Sequence, residues 1–108
     1  MKLSELGPEW LKIIDERTRS TDVEMAEADG IIFLCPKCFQ KNGGPVGTHS
    51  IICWRPSVPP SVTPGPGRWE FNGTGLDDLS LVAGSSSILL QGGCEAHFLI
   101  QNGEIRDC

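Results

Sequence analysis

Three of the chain's five cysteines and one of its two histidines lie within residues 34–54, LCPKCFQKNGGPVGTHSIICW. Thiolates and imidazoles are the donors of tetrahedral zinc sites, and two of them separated by two residues can reach one ion from a single tight turn. Cys35-Pro36-Lys37-Cys38 has that spacing, with Pro36 presetting the bend. A second half-site, Cys94-Glu95-Ala96-His97, follows Gly92 and Gly93, which permit a similar turn. An odd number of cysteines in short paired spacings fits metal ligation better than a disulfide framework.

His49 and Cys53 compete for the same role. Ser50-Ile51-Ile52 between them is β-branched and favours extended chain, in which positions four apart share a face but stand ~13 Å from each other, too far to share an ion. Only a helix would bring them together, and GTHSIICW is a poor helix former. The spacing argument therefore assigns zinc to Cys35, Cys38, Cys94 and His97. Cys53 reads as a small buried hydrophobe beside Trp54, and Cys108 would replace a ligand only if the last strand returned alongside the two turns. Such an ion joins the region of residue 36 to that of residue 95. Its apparent binding energy, about 10–16 kcal/mol for structural zinc, rivals the whole stability of a small domain.

The elements that must position these donors are short. Thirteen glycines and eight prolines in 108 residues point to brief strands and many turns, and the length to one domain. IIFLC enters the first cysteine turn as a buried strand would, and HSIICWR is a second strand. Residues 55–67, RPSVPPSVTPGPG, hold five prolines and two glycines and form a loop. RWEFN places Trp69 and Phe71 on one face of a strand, and SILLQ is another. HFLIQ and EIRD flank Asn102-Gly103, a two-residue hairpin signal, since both central positions of a type I′ turn need positive φ. Asp22 can cap a short helix over VEMAEA, stopped by Gly30, while residues 1–21 form an N-terminal arm in which LKII fits a first helical turn or an edge strand. The expected fold is mainly β, a small α+β domain spanning residues 1–108, with an antiparallel sheet, zinc-ribbon-like knuckles and one short N-terminal helix.

The formal net charge is −5, which opposes a generic grip on phosphates. The charge is unevenly spread: residues 1–29 hold eight acids against four bases and residues 70–108 six against one. Residues 30–69 hold Lys37, Lys41, Arg55 and Arg68 and no acid. Lys37, Lys41 and Arg55 with Phe39 form the candidate partner-binding set, suited to an anionic ligand such as an acidic protein surface or single-stranded nucleic acid. No apolar run has the length of a membrane span and the first twenty residues lack the pattern of a secretory signal, so the cytoplasm is the expected compartment.

The blocks FLCPKCFQKNGGPVGTH, ICW, PGPGRW, GTGLDDLSL and GCEAHFLIQNG resemble the motif blocks of small uncharacterised proteins of tailed bacteriophages and integrated prophages. The resemblance runs from about Ala28 onward. It implies a bacterial host cell as the setting and a metal site made by the two cysteine turns, and it carries no activity with it.

Two functions from different classes follow. The first is a zinc-stabilised module that binds another macromolecule, a host or phage protein ahead of nucleic acid. The second is a zinc-dependent hydrolytic enzyme with Glu95, which lies between two proposed ligands, as general base. Three thiolates and a histidine make the closed, structural pattern, and Gly43-Gly44 and the PGPG tract lack the lysine and hydroxyl of a phosphate-binding loop.

Overall fold

The computed structural model describes residues 1–64, 67–82, 88–89 and 94–107. It shows a mixed α+β fold built on antiparallel strands. β1 (Glu9–Ile13), β2 (Arg19–Ser20), β3 (Gly30–Leu34) and β4 (Ser50–Trp54) form one sheet in the order β2-β1-β3-β4. A single α-helix among the described residues, α1 (Pro36–Asn42), connects β3 to β4. β5 (Glu70–Asn72) pairs with β6 (Ser80–Val82), and β7 (Ile88–Leu89), β8 (His97–Gln101) and β9 (Glu104–Asp107) form a three-stranded sheet.

The β3–β4 pair carries the logic of the molecule. Ile31 sits opposite Cys53 and Phe33 opposite Ile51, so these four side chains share one face of the pleat. That face is buried against Leu79, Leu81, Phe98 and Ile100 of β6, β8 and the segment before β6, with Phe33 and Phe98 meeting edge to face at 6.1 Å. Ile32 and Ile52 alternate to the other face, where they pack with Leu11, Trp54 and Val58 in a second, smaller cluster. Both faces of β3 and β4 are therefore covered, which is why IIFLC and SIICW read as nearly continuous apolar runs. Gly30 is required at the start of β3 because a Cβ there would stand 2.5 Å from the Trp54 ring.

The Pro/Gly-rich stretch 55–67 supplies the cover for that second cluster through Val58 and Val62. It is shaped by Arg68, whose guanidinium donates to the carbonyl oxygens of Val58, Pro59, Val62, Pro64 and Gly67. Five prolines leave this stretch short of the N–H donors a ladder needs, and the cation provides a common donor for its carbonyls. At the other end of the chain Asn102 (φ 50°) and Gly103 (φ 72°) form the expected two-residue hairpin, with Gln101 opposite Glu104.

Several local expectations shift. Residues 1–21, read as an arm, are built into the fold: Leu11, Lys12 and Ile13 of LKII lie in β1, which is paired on both sides, while Ile14 is exposed beyond it, and Leu3 and Leu6 of a 3-10 turn (Leu3–Leu6) are completely buried. The helix expected over VEMAEA is a single 3-10 turn, Met25–Glu27, none of whose residues is fully buried. The turn stops because the Asp29 N–H, which a longer helix would direct to the Met25 carbonyl, donates to the Leu11 carbonyl of β1 instead; the Arg55 guanidinium donates to the Met25 and Ala28 carbonyls at that end. The first cysteine turn continues instead into α1, because Pro36 is tolerated at N1 and Gly43 (φ 70°) closes the far end with its N–H on the Gln40 carbonyl. Of SILLQ, Ile88 and Leu89 form β7; Leu90 to Gly93 and Cys108 lie outside the described residues.

Candidate metal centre

Beyond Leu34↔Ser50 the β3–β4 register continues by one step, and the next rung is Cys35 opposite His49, with the Cys35 N–H donating to the His49 carbonyl at 2.9 Å. By the alternation of the pleat this rung projects to the same face as Phe33/Ile51. Two prospective ligands are thus set side by side by sheet pairing, fourteen positions apart in sequence. Cys35 is also the N-cap of α1, which places Cys38 in the helix's first turn on the same side. Cys94, in the turn before β8, closes the group.

The Sγ atoms of Cys35, Cys38 and Cys94 and a ring nitrogen of His49 all lie within 4.8 Å of one another. Cys35 Sγ is 3.7 Å from Cys94 Sγ, and His49 Nε2 is 3.4 Å from Cys94 Sγ. A tetrahedral ion with bonds of ~2.3 Å to sulfur and ~2.0 Å to nitrogen requires edges of about 3.8 Å between sulfurs and about 3.5 Å between sulfur and nitrogen. The two measured edges match these. The donors form a Cys3His cluster whose geometry is that of a zinc site.

The electrostatics point the same way. Burial pushes the Cys35 thiol up to about 11; the N–H groups of Cys38 and Lys37 oppose the rise, and the neighbouring thiols Cys94 and Cys38 add to it. Burial also pushes Cys94 up, but His49, the Ala96 N–H and the Cys35 and Cys38 thiols outweigh it and bring Cys94 down to about 6. One thiolate, Cys94, is thus favoured by its neighbours, but three thiolates this close need a cation among them to offset their mutual repulsion. With zinc, three thiolates and a neutral imidazole leave one net negative charge, and Lys37 stands beside it, its Nζ donating to the Cys94 carbonyl at 2.6 Å.

The loop before His49 is fixed by its own hydrogen bonds. Asn42 Nδ2 donates to Thr48 Oγ1 (3.2 Å), Thr48 Oγ1 to the Gly44 carbonyl (2.8 Å) and the Thr48 N–H to the Pro45 carbonyl (3.1 Å). His49 is itself exposed, whereas Cys35 is completely buried.

The structure therefore keeps Cys35, Cys38 and Cys94 of the expected ligand set and replaces His97 with His49. His97 starts β8, between buried Ala96 and buried Phe98, and the pleat turns it outward. It lines a neighbouring cavity of about 340 Å3 with Pro36, Lys37, Gln40, Glu95 and Asp107. A metal-binding knuckle needs the chain to fold back after Cys94, but here it turns at Glu95 (φ 53°) and runs on extended. The distance argument against a His49–Cys53 pair stands, since Cys53 is completely buried in the core and burial raises its thiol's pKa. His49 meets its partner across the ladder and not along its own strand. The signal that would have found it is the register itself: pairing IIFL with SIICW so that apolar faces match puts Cys35 opposite His49.

Of the candidate binding set, Lys37, Phe39 and Lys41 lie together on α1, and Arg55 stands apart just past the end of β4. Lys37 clamps Cys94, Phe39 is half-buried against the core, and Lys41 is exposed in the last turn of α1. Arg55 lies six extended residues from His49, about 20 Å away, with its guanidinium over the Phe71 ring at 4.7 Å. Comparison of the chain with protein-family models, with curated protein sequences and with solved structures finds no match.

Proposed function

We propose that this chain is a small zinc-stapled module of the phage or prophage kind, acting by binding another macromolecule in the cytoplasm of a bacterial host. The observation that carries the reading is the convergence of four protein donors from four separate places: a strand end, a helix turn, the start of a second strand and a distant turn. Four protein ligands fill a tetrahedron, and such a closed site serves architecture. The ion ties α1 and the β3–β4 pair to the turn before β8. A net charge of −5 and the structural use made of Lys37 and Arg55 favour a protein partner over nucleic acid. The resemblance of its motif blocks to those of phage and prophage proteins suggests the setting.

A second reading keeps one specific observation in its favour. Glu95 adjoins Cys94 and shares the 340 Å3 cavity with His97, Lys37 and Asp107, so a base stands beside the metal centre as a zinc hydrolase would require. The deciding experiment follows zinc content and unfolding in the same sample. Removing zinc with a chelator should collapse the cooperative thermal transition, and restoring one equivalent should recover it. An unchanged transition after complete removal would contradict the staple. Zinc-dependent hydrolysis lost in Glu95→Gln, with zinc still bound, would establish the enzyme instead.

A further inference from the structure

We propose that the metal centre is also a redox-releasable clamp, in which a peroxide converts Cys35 and Cys94 into a disulfide and expels the ion. The proposal rests on the zinc reading above and adds a regulation to it. Its basis is an asymmetry in access combined with a contact. Cys94 sits half-exposed in a turn, where a small oxidant can reach its sulfur, while Cys35 is completely buried and cannot be reached from solvent. The two sulfurs are in direct contact at 3.7 Å, although 59 positions separate them in sequence. An exposed sulfur that is oxidised first and a shielded one positioned to attack it are the two parts of a sulfenate-to-disulfide relay.

The chemistry balances with the peroxide as oxidant. The Cys94 thiolate attacks one peroxide oxygen, the O–O bond breaks, and Cys94 sulfenic acid and hydroxide form. The Cys35 thiolate then attacks the Cys94 sulfur, the S–S bond forms as the S–O bond breaks, and a second hydroxide leaves. Two electrons pass from the sulfur pair to the peroxide. The ion loses two of its four donors and retains only Cys38 and His49, too few for a structural site. The bond that replaces it spans the same two regions of the fold, so the chain stays tethered, and a dithiol reductant with fresh zinc reverses the change. Shielding of Cys35 also opposes its own oxidation beyond the thiol stage.

The sequence offers a direct test. Trypsin separates all four relevant thiols, with Cys35 in residues 20–37, Cys38 in 38–41, Cys53 in 42–68 and Cys94 in 69–106. Zinc-loaded protein is treated with hydrogen peroxide, released zinc is read with a metallochromic dye, and non-reduced tryptic peptides are mapped by mass spectrometry. The expected result is one zinc released per 20–37/69–106 cross-link, reversed by dithiothreitol and added zinc. Zinc retained with all thiols reduced, a 20–37/38–41 cross-link, or Cys94 sulfinate without a cross-link would each overturn the proposal. A protein purified under reducing conditions in zinc-supplemented medium that holds no zinc before oxidant is added would contradict the metal centre itself, a separable failure.

Discussion

Replacing His49 with alanine, alongside the same change at His97, separates the ligand from its decoy. Four donors share an apparent binding energy of about 10–16 kcal/mol, so one of them accounts for roughly 3–4 kcal/mol. His49 is exposed, which lets a water occupy the vacated corner and recover part of that loss. The net cost should be roughly 2–3 kcal/mol, a weakening of zinc binding by about 30- to 150-fold. His97 faces the neighbouring cavity, and His97→Ala should leave the affinity within about twofold. Competition against a chromophoric zinc chelator at neutral pH gives both constants, and cobalt substitution reports the donor change in the visible spectrum. If His97→Ala loosened the ion while His49→Ala bound it normally, the cross-strand argument for the site would be wrong.

Three further outcomes test the scaffold. Gly103→Ala should destabilise by roughly 3 kcal/mol in chemical denaturation, because φ is 72° there and the new Cβ would collide with the Asp77 carbonyl oxygen. Arg68→Met should cost about 2–3 kcal/mol by removing the common donor of five loop carbonyls, and protease cutting within residues 55–64 should accelerate with it. Asp78 accepts from the Thr74 and Gly75 N–H groups and the Thr74 hydroxyl, which hold its carboxyl below the ordinary 3.8. A folded value below the unfolded one means that its contribution is fully present above about pH 4 and is lost as the pH falls through the folded value. The stability gap between the native chain and Asp78→Ala, measured by denaturant titration, should therefore be flat above that pH and close below it.

The parts of this fold legible in the sequence are those where a local rule and the tertiary structure agree. IIFLC and SIICW are strands because both faces of β3 and β4 are covered, and Asn102-Gly103 is a turn because φ is positive at both positions. Cys53 was readable as core since nothing else suited a thiol beside Trp54 on a strand. What was not legible depended on partners distant in sequence. VEMAEA has helix-forming residues, but the Asp29 N–H that would extend the turn donates to the Leu11 carbonyl of β1, eighteen positions earlier in the chain. Pro36-Lys37-Cys38 reads as a turn from its spacing, and the Gly43 cap that makes it a helix lies a full seven residues beyond Pro36. His49 belongs to the metal centre through a ladder rung, a relation that spacing rules along one strand do not contain.

The central claim is that Cys35, Cys38, Cys94 and His49 enclose one zinc ion. X-ray absorption at the zinc edge on the purified protein tests it most directly. The expected first shell is three sulfurs at ~2.3 Å and one imidazole nitrogen at ~2.0 Å, unchanged in His97→Ala. A shell with two sulfurs, an oxygen in place of the nitrogen, or a nitrogen that disappears with His97 rather than His49 would contradict it.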